Sequence, residues 1–214
     1  MNKELKNRIS TSVMITFLSL LCVIKGSYLF NIFIVLILCI SLFEWLNVSY
    51  IKIIFSIGVF ILFASILSTY YLRNSSLLFF LFVILISVSS DIGGFIFGKI
   101  IKGPKLTKIS PNKTYAGTIG SFILSIISGL LYLNYFDHTL NISSNFNNLT
   151  IVSIIIFLTI INQLGDLIMS YYKRLKKIKN TGNILPGHGG LLDRIDGMIF
   201  TMLLSYPIYS LVLQ

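Results

Sequence analysis

Seven long apolar runs separated by short polar connections leave this chain few ways to fold. They cover approximately 9–24, 27–47, 51–71, 76–98, 115–136, 149–171 and 191–213. A helix needs about 20 predominantly apolar residues to cross a bilayer, and in lipid only helices or closed barrels satisfy their own backbone. The expectation is an all-α integral membrane protein, a polytopic bundle of about seven transmembrane helices. Composition agrees. Charged residues make up 11% of the 214 and mean hydropathy is +0.88, whereas soluble domains carry about 25% charged residues. That length allows one bundle and no sizeable extra domain. The basic opening MNKELKNR before the first run resembles a secretory leader. No small-x-small cleavage site follows, and Lys25 leads into another apolar run, so an uncleaved first span is expected. Cys22 and Cys39 lie in apolar runs without metal-ligand spacing and read as small buried hydrophobes.

The basic residues orient the bundle. Formal charge is +10, with 17 Lys and Arg against 7 Asp and Glu. The positive-inside rule places the tail with Lys3, Lys6 and Arg8 in the cytoplasm. Alternation then puts 99–114 inside, with Lys99, Lys102, Lys105, Lys108 and Lys113. It puts 172–190 inside as well, with Lys173, Arg174, Lys176, Lys177 and Lys179. The loop 137–148 falls outside and has no Lys or Arg, and its His138 is expected to be solvated. Five charges per inner loop exceed what orientation requires, so a phosphate-facing role joins the topological one.

Ionisable residues inside spans usually face a bundle interior or an aqueous cavity. Ser87, Asp91, Gly94 and Gly98 recur at spacings of 4, 3 and 4, one helical face with a carboxylate and small residues. Asn162, Asp166, Ser170 and Lys173 form a second such face. The third place is LPGHGGLLDRID at 185–196, where Asp193 and Asp196 share a face of a helix expected to start near Leu191. Acidic residues suit a helix N-terminus, but that accounts neither for the glycines nor for Asp166 nearby. Three carboxylates at one membrane face suit a hard divalent cation. His188, flanked by glycines, reads best as a polar contact to substrate; a structural salt bridge for Asp166 stays open.

Residues 170–196, SYYKRLKKIKNTGNILPGHGGLLDRID, resemble the signature of the phosphatidate cytidylyltransferase (CDP-diacylglycerol synthase) family: S-x-x-K-R, a K-D pair, P-G-H-G-G and D-R-x-D. Gly165-Asp166-Leu167 fits as well. So does the block at 91–117, DIGGFIFGKIIKGPKLTKISPNKTYAG, which is similar to D-x-G-A-x-x-x-G followed by S-P-x-K-T-x-E-G. The resemblance covers about the C-terminal 125 residues. Three positions depart from it: Asn180 replaces the Asp of the K-D pair, Ala116 the Glu, and Gly197 the usual Ser. The domains expected are 1–98, N-terminal spans, and 99–214, a catalytic region with two basic loops.

The resemblance implies that CTP and phosphatidic acid give CDP-diacylglycerol and pyrophosphate at a multi-pass site in the cell's inner membrane, facing the cytoplasm. Expected catalytic residues are Asp166, Asp193, Asp196, Lys173, Arg174 and His188. The three aspartates would hold Mg²⁺, with a second cation allowed. Lys173 and Arg174 would hold the lipid phosphate. Lys113 and the turn with Gly187, Gly189 and Gly190 would hold the nucleotide phosphates. Asp91, Ser110, Thr114, Ser170, Lys179 and Arg194 complete the substrate-binding set. CTP, phosphatidic acid and the bilayer are the expected partners, nucleic acid is not, and a homodimer is allowed but not required. Two other readings stay open: a CTP-dependent lipid alcohol kinase of the polyprenol or phytol type, and a non-enzymatic binder or transporter of an anionic lipid.

Overall fold

The computed structural model describes residues 14, 16–49, 51–107, 109–111, 113–140, 147–184 and 189–212, with the backbone alone for 137–140 and 212. Its helices are α1 (Thr16–Lys25), α2 (Ser27–Val48), α3 (Lys52–Ser75), α4 (Leu77–Ile100), α5 (Tyr115–Leu140), α6 (Asn148–Leu175) and α7 (Leu192–Val212). Among the described residues, α2 to α6 are long and apolar enough to cross a membrane. The all-α polytopic architecture expected from the apolar runs is present, although α1 is short and the expected start at 9–13 lies outside the described residues. The helix α5 runs past 136 to Leu140, so the start of the expected outer loop, including His138, continues the helix. Large side chains cover the outside, with Phe60 73% and Leu131 65% exposed, a surface suited to lipid rather than water. Cys39 is on this exposed surface and Cys22 is half-buried. The expectation that both are buried is corrected, because an apolar run in a span supplies a lipid face as well as a core face.

Successive helices run up and down, and polar contacts fix their ends. Gly26 joins α1 to α2 at φ 65, a left-handed conformation that suits glycine. The Arg73 guanidinium, from the last turn of α3, donates to Val23 O at 3.0 Å and lies over the Phe30 ring. A Cβ at Gly26 would collide with it. At this end Phe30, Phe79, Phe82, Ile86 and Ile155 form one core cluster. A second cluster, containing Trp45, Leu62, Met169 and Leu192, lies towards the opposite end.

Two close approaches shape the bundle. The α4–α5 pair packs through glycines: a Cβ on Gly93 would lie 2.4 Å from Gly120 O, and one on Gly117 would lie 2.7 Å from Gly94 O. Helices associate in lipid by packing and interhelical hydrogen bonds, and here Ser121 Oγ adds a bond to Ser90 O at 2.7 Å. In α7, Pro207 lies inside the helix and supplies no N–H. One residue earlier, the Ser68 hydroxyl of α3 accepts from Tyr206 N at 3.2 Å and donates to Met202 O at 2.5 Å. It thereby enters the helical ladder, a recognised cause of bending.

Candidate functional site

The polar faces of α4, α6 and α7 meet at the end of the bundle that carries the 101–114 and 176–191 connections. Three features of the chain aim the first connection at the site. Lys105 and Thr114 form an antiparallel bridge, Leu106 N donates to Lys113 O at 2.8 Å, and Lys113 N donates to Ser110 O at 3.1 Å. Thr114 Oγ1 then accepts from Gly117 N at 3.1 Å, capping the start of α5. Lys113, held by this turn, reaches Asp166 Oδ2 at 2.5 Å. Ser110 serves the turn itself, its N–H bonding Thr107 Oγ1.

Lys173 enters from the last turn of α6. It is buried, with its ammonium 2.9 Å from Asp193 Oδ1 and 3.6 Å from Asp196 Oδ2. The shared helical face expected for the two aspartates is therefore realised around one cation. Asp193 Oδ2 accepts from Thr181 N at 2.9 Å and from Gly190 N at 3.1 Å. The second bond reaches back three residues, as the acidic residue of a capping box does. Ser170 Oγ lies 3.4 Å from Asp166 Oδ1. Asn162 donates to Asp91 Oδ1 at 2.8 Å, which ties α4 to α6.

Asp91, Asp166 and Asp196 stand close enough for their charges to oppose one another. Asp91, Asp166 and Lys113 also line a cavity of about 190 Å³, together with Ser90 and Gln163. Ser90 Oγ and Gln163 Nε2 are buried without a hydrogen-bond partner, so the cavity wall presents polar groups still to be matched. Among the described residues no cluster of three or more His, Cys, Asp or Glu makes a ready metal cage, and lysines stand among the carboxylates. The donor chemistry nevertheless fits a hard divalent cation: oxygen ligands only, carried by mutually opposed aspartates.

The other expected residues are distributed more loosely. Arg174 donates to Ile178 O at 3.0 Å at the surface, just past α6. There Lys177 (φ 58) supplies the left-handed residue and Ile178 N bonds Lys173 O, as in a Schellman ending. Lys179 is exposed in the same connection. Arg194 lies in the first turn of α7, its N–H on Leu191 O. Gly189 takes φ +87, and a Cβ there would lie 3.2 Å from Asp193 Oδ2 and 3.4 Å from Asn180 Cγ. Asn180 thus stands beside Asp193, where an aspartate would add a further negative charge. Gly187 and His188 lie outside the described residues.

One site residue escaped the sequence reading. Glu44, near the end of α2, is fully buried. It accepts from Leu191 N and Leu192 N, both at 2.8 Å, and from Thr181 Oγ1 at 2.9 Å. A carboxylate inside an apolar run was the available signal, but its partners are 137 to 148 residues away and leave no local pattern.

A family model described as "Cytidylyltransferase family" matches residues 49–212. Proteins named phosphatidate cytidylyltransferase from Staphylococcus haemolyticus strain JCSC1435 and Staphylococcus aureus strain COL are 40% and 38% identical to this chain over 134 residues. That stretch is 62% of this chain and 49% of each relative, so the match spans about half the length of the curated relatives. With its matched segment supplying Asp91, Lys113, Asp166, Lys173, Asp193 and Asp196 at one end of the bundle, the chain belongs to the cytidylyltransferase family.

Proposed function

We propose that this protein transfers the cytidylyl group of CTP to phosphatidic acid, forming CDP-diacylglycerol and releasing pyrophosphate. The observation that carries the reading is convergence. Family residues from two helices and one connection meet in two charged pairings, Lys113 with Asp166 and Lys173 with Asp193 and Asp196. A lipid phosphate oxygen attacks the α-phosphorus of CTP, forming a new P–O bond as the bond to the β-phosphate breaks. The electron pair leaves on pyrophosphate. The nucleophile is already an anion, so no strong general base is needed, which agrees with a site built from carboxylates and lysines.

Two anionic substrates repel each other, and the chain's own residues offset that repulsion. Lys113 at the cavity wall would meet nucleotide phosphates, and the surface residues Arg174 and Lys179 would meet the lipid phosphate at headgroup level. Lys173, buried between two aspartates, orders the start of α7. Asp166 and Asp196 would hold Mg²⁺, whereas both oxygens of Asp193 are already engaged, Oδ1 by Lys173 and Oδ2 by two N–H groups. The bound ion would supply charge neutralisation for the triphosphate and the departing pyrophosphate. The proposed setting is the cell's inner membrane, with this end of the bundle facing the cytoplasm, where CTP is available.

The test is a vesicle assay of the purified chain with labelled CTP, phosphatidic acid and Mg²⁺. Equal yields of CDP-diacylglycerol and pyrophosphate are expected. Release of CDP would point to a lipid kinase instead, and no turnover with any lipid acceptor would point to a binder.

A further inference from the structure

The first turn of a helix carries N–H groups without internal partners, normally met by a side chain just before the helix. Before α7 the chain offers Gly189, Gly190 and Leu191, none with a capping side chain. The acceptors come from elsewhere: Asp193 takes Gly190 N, and Glu44 takes Leu191 N and Leu192 N. Glu44 lies before residue 49, where the family match begins. A side chain outside the matched segment therefore supports the helix that carries Asp193 and Asp196.

Thr181 links the two carboxylates. Its hydroxyl donates to Glu44 Oε2 and its N–H to Asp193 Oδ2, both at 2.9 Å. A chain of contacts thus runs from Glu44 through Thr181 to Asp193, and on through Lys173 to Asp196. The surrounding backbone leaves room for this arrangement. A Cβ at Gly190 would lie 2.2 Å from Thr181 Oγ1 and 2.5 Å from Glu44 Oε2, and one at Gly182 would lie 3.0 Å from Glu44 Oε1. Gly190 is small because a carboxylate from α2 comes against it, and its N–H is engaged by Asp193.

We propose that Glu44 is a positioning residue for the cytidylyl-transfer site: acting through Thr181 and the α7 N-terminus, it sets where Asp193 and Lys173 stand. This rests on the cytidylyltransferase reading. Glu44 does not line the cavity that Asp91, Asp166 and Lys113 border, so its effect is expected in turnover rather than in nucleotide affinity.

The experiment compares wild type, Glu44→Gln, Glu44→Asp, Thr181→Val and the Glu44→Gln/Thr181→Val double variant, each full-length in lipid nanodiscs. Hydrogen exchange of peptides spanning 189–196 and 93–120 is measured beside kcat and KM for CTP, normalised to folded protein. In Glu44→Gln, exchange at 189–196 should rise at least about tenfold while 93–120 stays unchanged. Its kcat should fall about 10–100-fold with KM nearly constant, as for groups that orient a site's ligands. Glu44→Asp should recover part of the loss. The double variant should be no worse than Glu44→Gln alone, because both substitutions act on one linkage. Unchanged exchange at 189–196, a loss confined to KM, or multiplicative losses in the double variant would overturn the proposal. If Glu44→Gln does not fold, Thr181→Val carries the same readouts, with a smaller rise in exchange and fall in kcat expected. A wild type without CTP-dependent turnover would defeat the functional reading, and the exchange data would still decide whether Glu44 orders the Asp193 turn.

Discussion

A buried lysine in a membrane bundle is expensive unless paired, and Lys173 meets that cost with two aspartates three residues apart on α7. Replacing it by methionine leaves both carboxylates without their cation. Removing one partner of a buried ion pair costs about 3–5 kcal/mol, so Lys173→Met should lower the thermal unfolding midpoint in detergent as well as abolish turnover. Asp193→Asn keeps the volume but weakens the acceptor for Thr181 N, Gly190 N and Lys173, and should reduce kcat about 10–100-fold in the vesicle assay. Full activity in a folded Asp193→Asn variant would contradict its place in the site. Gly197, where the family pattern has serine, receives a physical account. A Cβ there would lie 2.6 Å from Asn162 Oδ1 and 2.7 Å from Asn162 O, so the α6–α7 approach requires glycine. Gly197→Ser should therefore destabilise this chain by about 1–3 kcal/mol, read as a lower unfolding midpoint. No loss of stability would show that the two helices can part without penalty.

Among the elements, α4 and α5 depend most on small residues. Gly93→Ala places a methyl group against the Gly120 carbonyl, which is backbone and cannot rotate aside. The helices must separate, at about 1–3 kcal/mol, and the Ser121–Ser90 bond beside the cavity should weaken with them. The expected readout is lower thermal stability, together with faster exchange of the 93–120 backbone amides. This interface was legible in part: Gly94 and Gly98 fall on the Asp91 face, and glycines at helical spacing predict close approach. Asp193, Asp196 and their shared face were equally legible, because local spacing determines them. The partition of the basic residues was less so. Lys113 and Lys173 differ from their charged neighbours only in where a turn or a helix end aims them, and composition gives every lysine the same weight. Glu44 was hidden for the opposite reason. Its polar neighbours at helical spacing, Ser41 and Asn47, add no second ionisable group, and its meaning lies in backbone N–H groups, which carry no sequence signature.

For the whole molecule, the apolar runs prescribed helices and the basic loops prescribed an orientation, which has its own test. The expected orientation has both basic connections inside and the C-terminus outside, so a tag after Gln214 should be protected from cytoplasmic labelling reagents in intact cells. Labelling from the cytoplasm would refute seven crossings. The charged cluster draws on both halves of the chain, with Glu44 and Asp91 from the first 98 residues and the remainder from the last 116. Substitutions in α2 or α4 can therefore impair turnover without touching the 170–196 segment. The Ser68 hydroxyl in the α7 ladder carries a mechanical consequence when set beside Glu44. One helix is fastened near each end, to α3 by a hydroxyl and to α2 by a carboxylate, like a spar pinned at both tips. Sliding α7 along its axis would shear both fastenings together. Under the proposed function, a lipid headgroup would then be admitted without movement of α7, and Asp193 and Asp196 would stay in register.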